Sequence, residues 1–202
     1  MAKRRKVGNL LALAVLSTLA ERPMHPYELA SLLRERGKDQ SIKINWGSLY
    51  TVVQNLEKHG FIEAAGTSRQ GRHPERTVYS ITDAGRAELA DWLRELVGVP
   101  EREYPRFEAA LSVLGILPPD EAIPLLRRRL EALDADAAEQ RAALEEYGKQ
   151  ISRMFLIEAE YHLALTRAEA DWLRGVLAEL DSGAFPDLHL WYAFHGKEGP
   201  PS

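Results

Sequence analysis

Three arginines and a histidine, Arg69, Arg72, His73 and Arg76, sit in or beside a run punctuated by glycine and proline, residues 66–74. A loop of that composition folds without needing cations, so cations gathered there point to a polyanion outside the fold, such as a nucleic-acid backbone or minor groove. Upstream, Ser48, Thr51, Gln54 and Asn55 alternate with Leu49, Val52, Val53 and Leu56 at helical period. Their hydroxyls and amides can donate to and accept from base edges, and Tyr50 is long enough to reach a phosphate or sugar. Tyr50 has a competing use as a lid on the core, its hydroxyl satisfied locally. Lys3, Arg4 and Arg5 in the basic leader, with Lys43 ahead of the polar helix, complete the candidate phosphate contacts. For Lys43 and Lys58 the competing role is solubility alone.

Other chemistry is poorly supplied. There is no cysteine, which excludes disulfides, thiolate nucleophiles and cysteine zinc sites. No glycine-rich phosphate loop, paired-carboxylate signature or nucleophile motif is present. Glu158 and His162 share a helix face, but two ligands without a third make a poor metal site. The sequence therefore reads as a non-enzyme, with no catalytic residues, cofactor or metal.

The 202 residues are 45% hydrophobic and 28% charged, the balance of a folded globular chain. The net charge of −4 conceals a division. Residues 1–82 carry 13 Lys and Arg against 7 Asp and Glu, a net +6; residues 83–202 carry 13 against 23, a net −10. A basic half joined to an acidic half suits a polyanion binder with a separate assembly domain, although clustering on solvated faces gives the same count. Residues 3–6 followed by Leu10 to Ala20 imitate the opening of an export signal. The apolar run of about 11 residues is too short to span a bilayer and lacks a small-residue cleavage pattern. It reads instead as a buried first helix behind a basic leader, in a cytoplasmic protein without a membrane span.

The elements that must position these residues follow from local signals. A helix over Asn9–Ala20 starts at an Asn9 or Gly8 cap. A second runs from Pro26, suited to the first helical position, to Arg36, with Gly37 as its left-handed stop. A third begins at an Asn45 cap and ends before Gly60. Strands over residues 61–65 and 77–81 flank the arginine loop. Thr82 caps a fourth helix to Val97. Beyond a boundary at 98–105, segments over 106–117, 120–147 and 151–180 all read as helix, and the aromatic tail 185–194 has no clear place. Helix, helix, helix, hairpin, helix is the winged helix-turn-helix order, in which the third helix enters the major groove. The fold class is thus mainly α with a small two-stranded β-wing. A winged helix-turn-helix domain (1–97) is joined by a linker (98–105) to an all-α dimerisation domain (106–182) with a C-terminal tail (183–202).

Five pieces in order, residues 24–30 (MHPYELA), 47–50 (GSLY), 56–62 (LEKHGFI), 71–72 (GR) and 79–85 (YSITDAG), resemble the PadR family of bacterial transcription regulators. Residues 117–122 and 168–173 resemble the helical C-terminal region of its long-type members, similar to a virulence-activator domain. Pro26 stands where the family has glycine. The resemblance implies a homodimer, usually a repressor, gripping a palindromic operator of double-stranded DNA, with small aromatic or hydrophobic effectors for some members. Carried over by position, it puts Tyr27, Ser48 and Tyr50 at the DNA face and Arg72 in the wing.

The second half adds its own argument for a dimer. Leu126, Leu130, Leu133, Ala137, Gln140, Leu144 and Tyr147 form a heptad seam, and Ile157, Tyr161, Leu165, Ala168, Trp172 and Val176 form a second stripe. We expect the interface at Leu126, Leu130, Leu133, Leu144, Ile157, Tyr161, Leu165 and Trp172. A monomeric hairpin is the competing arrangement, since such leucines also serve intramolecular bundles. Trp172 could instead line an effector cavity. Three functions fit: a ligand-released repressor, an effector-independent regulator or activator, and a protein-interaction module that leaves its helix-turn-helix unused.

Overall fold

The computed structural model describes residues 5–39, 41, 42, 44–68 and 76–197. The chain forms two compact units that divide between Arg102 and Glu103.

In the first unit, α1 (Leu10–Leu19) is the central helix. It is apolar nearly all round and packs against α2, α3 and α4. The Asn9 side chain caps it, accepting from the Leu11 N–H at 2.9 Å. α2 (Pro26–Glu35) opens on Pro26, whose missing N–H costs nothing at that position. Gly37 follows it at φ 61°, the left-handed conformation glycine adopts without a Cβ penalty.

Asn45 caps as expected, but what it caps is a single 3₁₀ turn, Trp46–Ser48; α3 proper is Leu49–Lys58. Its inner face, Leu49, Val52, Val53 and Leu56, is buried with Leu11, Val15, Leu16, Leu29 and Leu33. β1 (Ile62–Ser68) and β2 (Arg76–Ile81) pair antiparallel from Ile62–Ile81 out to Ser68–Arg76, with a bulge between Ala64 and Gly66. Both strands run further toward the tip than the sequence suggested. Met24, just ahead of α2, adds a bridge to β2, exchanging backbone hydrogen bonds with Tyr79 at 3.1 and 3.0 Å. Thr82 caps α4 (Asp83–Gly98), accepting from Gly85 N–H at 3.0 Å while donating to the Gly60 carbonyl at 2.7 Å.

The second unit is all helix. α5 is only Arg106–Leu111, because a 3₁₀ turn at Leu114–Ile116 interrupts the segment expected to reach residue 117. α6 (Pro119–Tyr147) and α7 (Ile157–Ser182) form an antiparallel hairpin, tied by Arg127 to Asp181 and Arg174 to Asp134. Its core is Leu126, Leu173, Leu177 and Leu180. The tail folds back here: α8 (Leu188–Phe194) contributes Leu188 to that core, Trp191 Nε1 donates to the Leu117 carbonyl at 2.9 Å, and Lys197 pairs with Asp120.

This arrangement engages part of the expected interface within the chain itself. Leu126 is buried by its own chain, and Leu130 and Leu133 pack on the same cluster. The seam of α6 is partly covered within the hairpin, while Leu130, Leu133 and Leu144 stay half-buried and Tyr147 exposed. Among the described residues, no helix is long and apolar enough to cross a membrane.

Candidate nucleic-acid interface

The candidate surface is built on α3. Four buried aliphatics fix which way the helix faces, so Tyr50, Thr51, Gln54 and Asn55 are turned out to solvent. Tyr50 is 55% exposed, which leaves it no role as a core lid. Ser48 is half-buried; its Oγ donates to the Asn45 carbonyl at 2.8 Å, leaving its lone pairs to accept from a ligand. Trp46 lies under Arg34 of α2, with the guanidinium 4.0 Å from the ring centre. That contact fixes the entry to α3. Tyr27, in the first turn of α2, is 63% exposed.

Tyr79 holds these elements together. Its backbone bridges Met24, three residues before Tyr27, and its hydroxyl donates to Glu57 Oε2 of α3 at 3.3 Å. Burial, then the Glu57 carboxylate, pushes the Tyr79 phenol above its ordinary value, so it remains a donor at neutral pH. Sequence reasoning passed over Tyr79 because its side-chain partner is 22 residues away.

Lys3, Arg4, Lys43, Arg69, Arg72 and His73 lie outside the described residues, as does the side chain of Arg76, the first residue of β2. Arg5 is described, and its expected role as a phosphate contact does not hold. It is almost wholly buried against α4, donating to Glu88 at 2.7 Å, Asp91 at 3.3 Å and Glu95, with its guanidinium 5.2 Å from the Trp92 ring centre. Burial opposes its charge, but the hydrogen bonds to Glu88 and Glu95 outweigh this and raise its pKa. Arg22 and Arg36 are likewise engaged, with Glu28 and Glu21. The excess charge of this half is therefore not spread evenly. Among described residues exposed Lys6, Lys58 and Arg34, the last stacked on Trp46, carry part of it, and the other candidate phosphate contacts belong by sequence to the leader, the segment before α3 and the hairpin.

In the second unit, the two faces of α7 differ. Thr166, Ala170, Leu173, Leu177 and Leu180 are buried. Ile157, Tyr161, Leu165 and Trp172 are 51%, 66%, 51% and 48% exposed. Trp172 meets Phe107 edge-on at 6.3 Å between ring centres, and Leu144 is half-buried. Tyr147, Ile151, Met154 and Phe155 extend the exposed apolar surface around the hairpin turn.

The sequence profile of the transcriptional regulator PadR-like family matches residues 15–91, from within α1 to within α4, which takes in α2, α3 and both wing strands. The negative transcriptional regulator PadR of Bacillus subtilis is 26% identical over 182 residues, covering 86% of this chain and 98% of that one. Residues 15–91 thus match the PadR-like family, and the chain resembles one of its members over most of its length. It is a transcriptional regulator with a winged helix-turn-helix domain and a helical C-terminal domain, not an enzyme. Two solved structures share this fold. Bacillus subtilis PadR in complex with operator DNA has a TM-score of 0.70 at 24% identity, covering 84% of this chain and 98% of that one. The same protein in complex with p-coumaric acid has a TM-score of 0.70 at 22% identity, covering 86% and 99%.

Proposed function

We propose that this PadR-like protein is a homodimeric cytoplasmic repressor. It sets α3 into the major groove of a palindromic operator and the β1–β2 wing against the neighbouring backbone. A small aromatic or hydrophobic compound releases it. The observation that carries the reading is the outward face of α3: Ser48, Tyr50, Thr51 and Gln54 sit at or near the helix start on a braced frame, with Tyr27 exposed at the start of the helix before it. The N-terminal residues of a recognition helix are those that meet base edges. Lys3, Arg4, Lys43, Arg69, Arg72, His73 and Arg76 supply the phosphate contacts.

The Bacillus relative's negative regulation supports repression, and its complexes with operator DNA and p-coumaric acid support the two ligands. The dimer reading rests on α7. A stripe of Ile157, Tyr161, Leu165 and Trp172 left in water by its own chain is an interface in need of a partner. Two-fold symmetry would then present two α3 helices about 34 Å apart, one turn of duplex.

The test is binding to the DNA upstream of the protein's own gene. Two chains are expected to protect an inverted repeat, and p-coumaric acid, or another phenolic acid, to weaken the complex. Protection by one chain, or none, would rule the reading out.

A further inference from the structure

Within the second unit, a cleft of about 270 Å³ opens between α6 and α7. Its floor is alanine, Ala137 and Ala170, both buried, with exposed Ala138 at its edge. Three arginines stand around it, Arg141 from α6 and Arg167 and Arg174 from α7. The two acids of the rim, Asp134 and Asp171, are both taken by Arg174. Among the described residues no carboxylate pairs with Arg141 or Arg167.

That distribution needs a reason. Residues 83–202 carry a net −10, with carboxylates in excess, yet two of the three guanidinium groups lining this cleft have no carboxylate paired to them, because Arg174 takes both rim acids. Like charges held together repel, and a bound anion converts that repulsion into attraction. Guanidinium presents paired N–H groups in a planar fork that matches a carboxylate or phosphate two oxygens at a time. The alanine floor leaves space where larger side chains would fill the cleft.

We propose that the α6–α7 hairpin binds a small oxyanion, a phosphate or a carboxylate, between Arg141 and Arg167. The site goes beyond DNA recognition and stands whether or not α3 reads a duplex.

The test is calorimetric titration of the full-length protein with inorganic phosphate and, separately, malonate, each at ionic strength matched with sodium chloride. Saturable binding of one or both is expected. The Arg141→Gln, Arg167→Gln double variant should bind at least tenfold more weakly, while Arg128→Gln, at an exposed arginine elsewhere on α6, should bind as the parent does. Equal melting temperatures in anion-free buffer would establish that the double variant folds. Phosphate binding alone would assign the site to phosphoryl groups, and malonate binding alone to carboxylates. If neither anion binds, or the double variant binds unchanged, the proposal fails. It also fails if the double variant falls from dimer to single chains in light scattering, since the arginines would then be meeting carboxylates of a second copy.

Discussion

The Tyr79 hydroxyl donates to Glu57 Oε2 at 3.3 Å, tying the second wing strand to the C-terminal half of α3. The same residue's backbone holds Met24 at the entry to α2. Removing the hydroxyl leaves the backbone bridge in place and loosens only the strand-to-helix tie. Tyr79→Phe should cost no more than about 1 kcal/mol of stability, the usual net worth of an exposed hydrogen bond. Its larger expected effect is a several-fold loss of duplex affinity, measured beside a denaturant titration. Unchanged affinity would mean the wing is positioned by its strands alone.

Gly85 lies where the hairpin hands over to α4. A Cβ there would come within 2.0 Å of the Phe61 carbonyl oxygen and 2.8 Å of Ile81 Cγ1. Backbone cannot yield as a flexible side chain does, so Gly85→Ala should destabilise by about 2–3 kcal/mol. Gly175, in α7, has nothing within 4 Å of the same construction. There Gly175→Ala should stabilise by about 0.5–1 kcal/mol through helix propensity. Chemical denaturation of both variants checks the opposite signs.

Glu21 and Arg36 join the end of α1 to the end of α2. Hydrogen bonds from Arg36 hold the Glu21 carboxyl below its ordinary value, against a smaller opposing effect of burial. A carboxyl depressed in the folded state contributes stability above its unfolded pKa and loses it as pH falls through the folded one. Both side chains are about half exposed, so solvent screening limits the pair to less than about 1 kcal/mol. Glu21→Gln should therefore melt slightly lower than the parent at pH 7. The difference should begin to shrink near about pH 4, where the unfolded carboxyl protonates, and vanish as pH falls through the lower folded value.

The two faces of α7 should respond differently to substitution. Leu173 is fully buried, and Leu173→Ala should cost about 2–5 kcal/mol. Tyr161 and Leu165 are exposed in the single chain, so Tyr161→Glu with Leu165→Glu should keep its helical circular dichroism. Light scattering should then give the mass of one chain. A double variant that remains a dimer would move the interface elsewhere.

What could be read in the sequence was local. Asn9, Pro26, Gly37, Gly60 and Thr82 announce helix ends by chemistry that involves only a few neighbouring residues. The direction of α3 followed from four aliphatics at helical spacing. What could not be read depended on distant partners. Arg5 looked like part of a basic leader because the carboxylates that bury it lie 83 to 90 residues away. Nor does the α6 seam show in sequence that α7 and α8 cover Leu126 once the chain folds back. The tail was unplaced for the same reason: Trp191 finds its acceptor at Leu117, 74 residues upstream. Asn45 was recognised as a cap, but nothing nearby distinguishes a 3₁₀ turn from a first α-turn.

The central claim is that α3 and the arginine-bearing hairpin form one DNA-binding surface, and the salt dependence of duplex binding tests it most directly. Each phosphate neutralised contributes about −0.9 to the slope of log affinity against log salt. Replacing Arg69, Arg72 and Arg76 together with alanine should flatten the parent's slope by about 2–3 and weaken binding at every salt concentration. A triple variant that keeps both the parent's affinity and its slope would contradict the account.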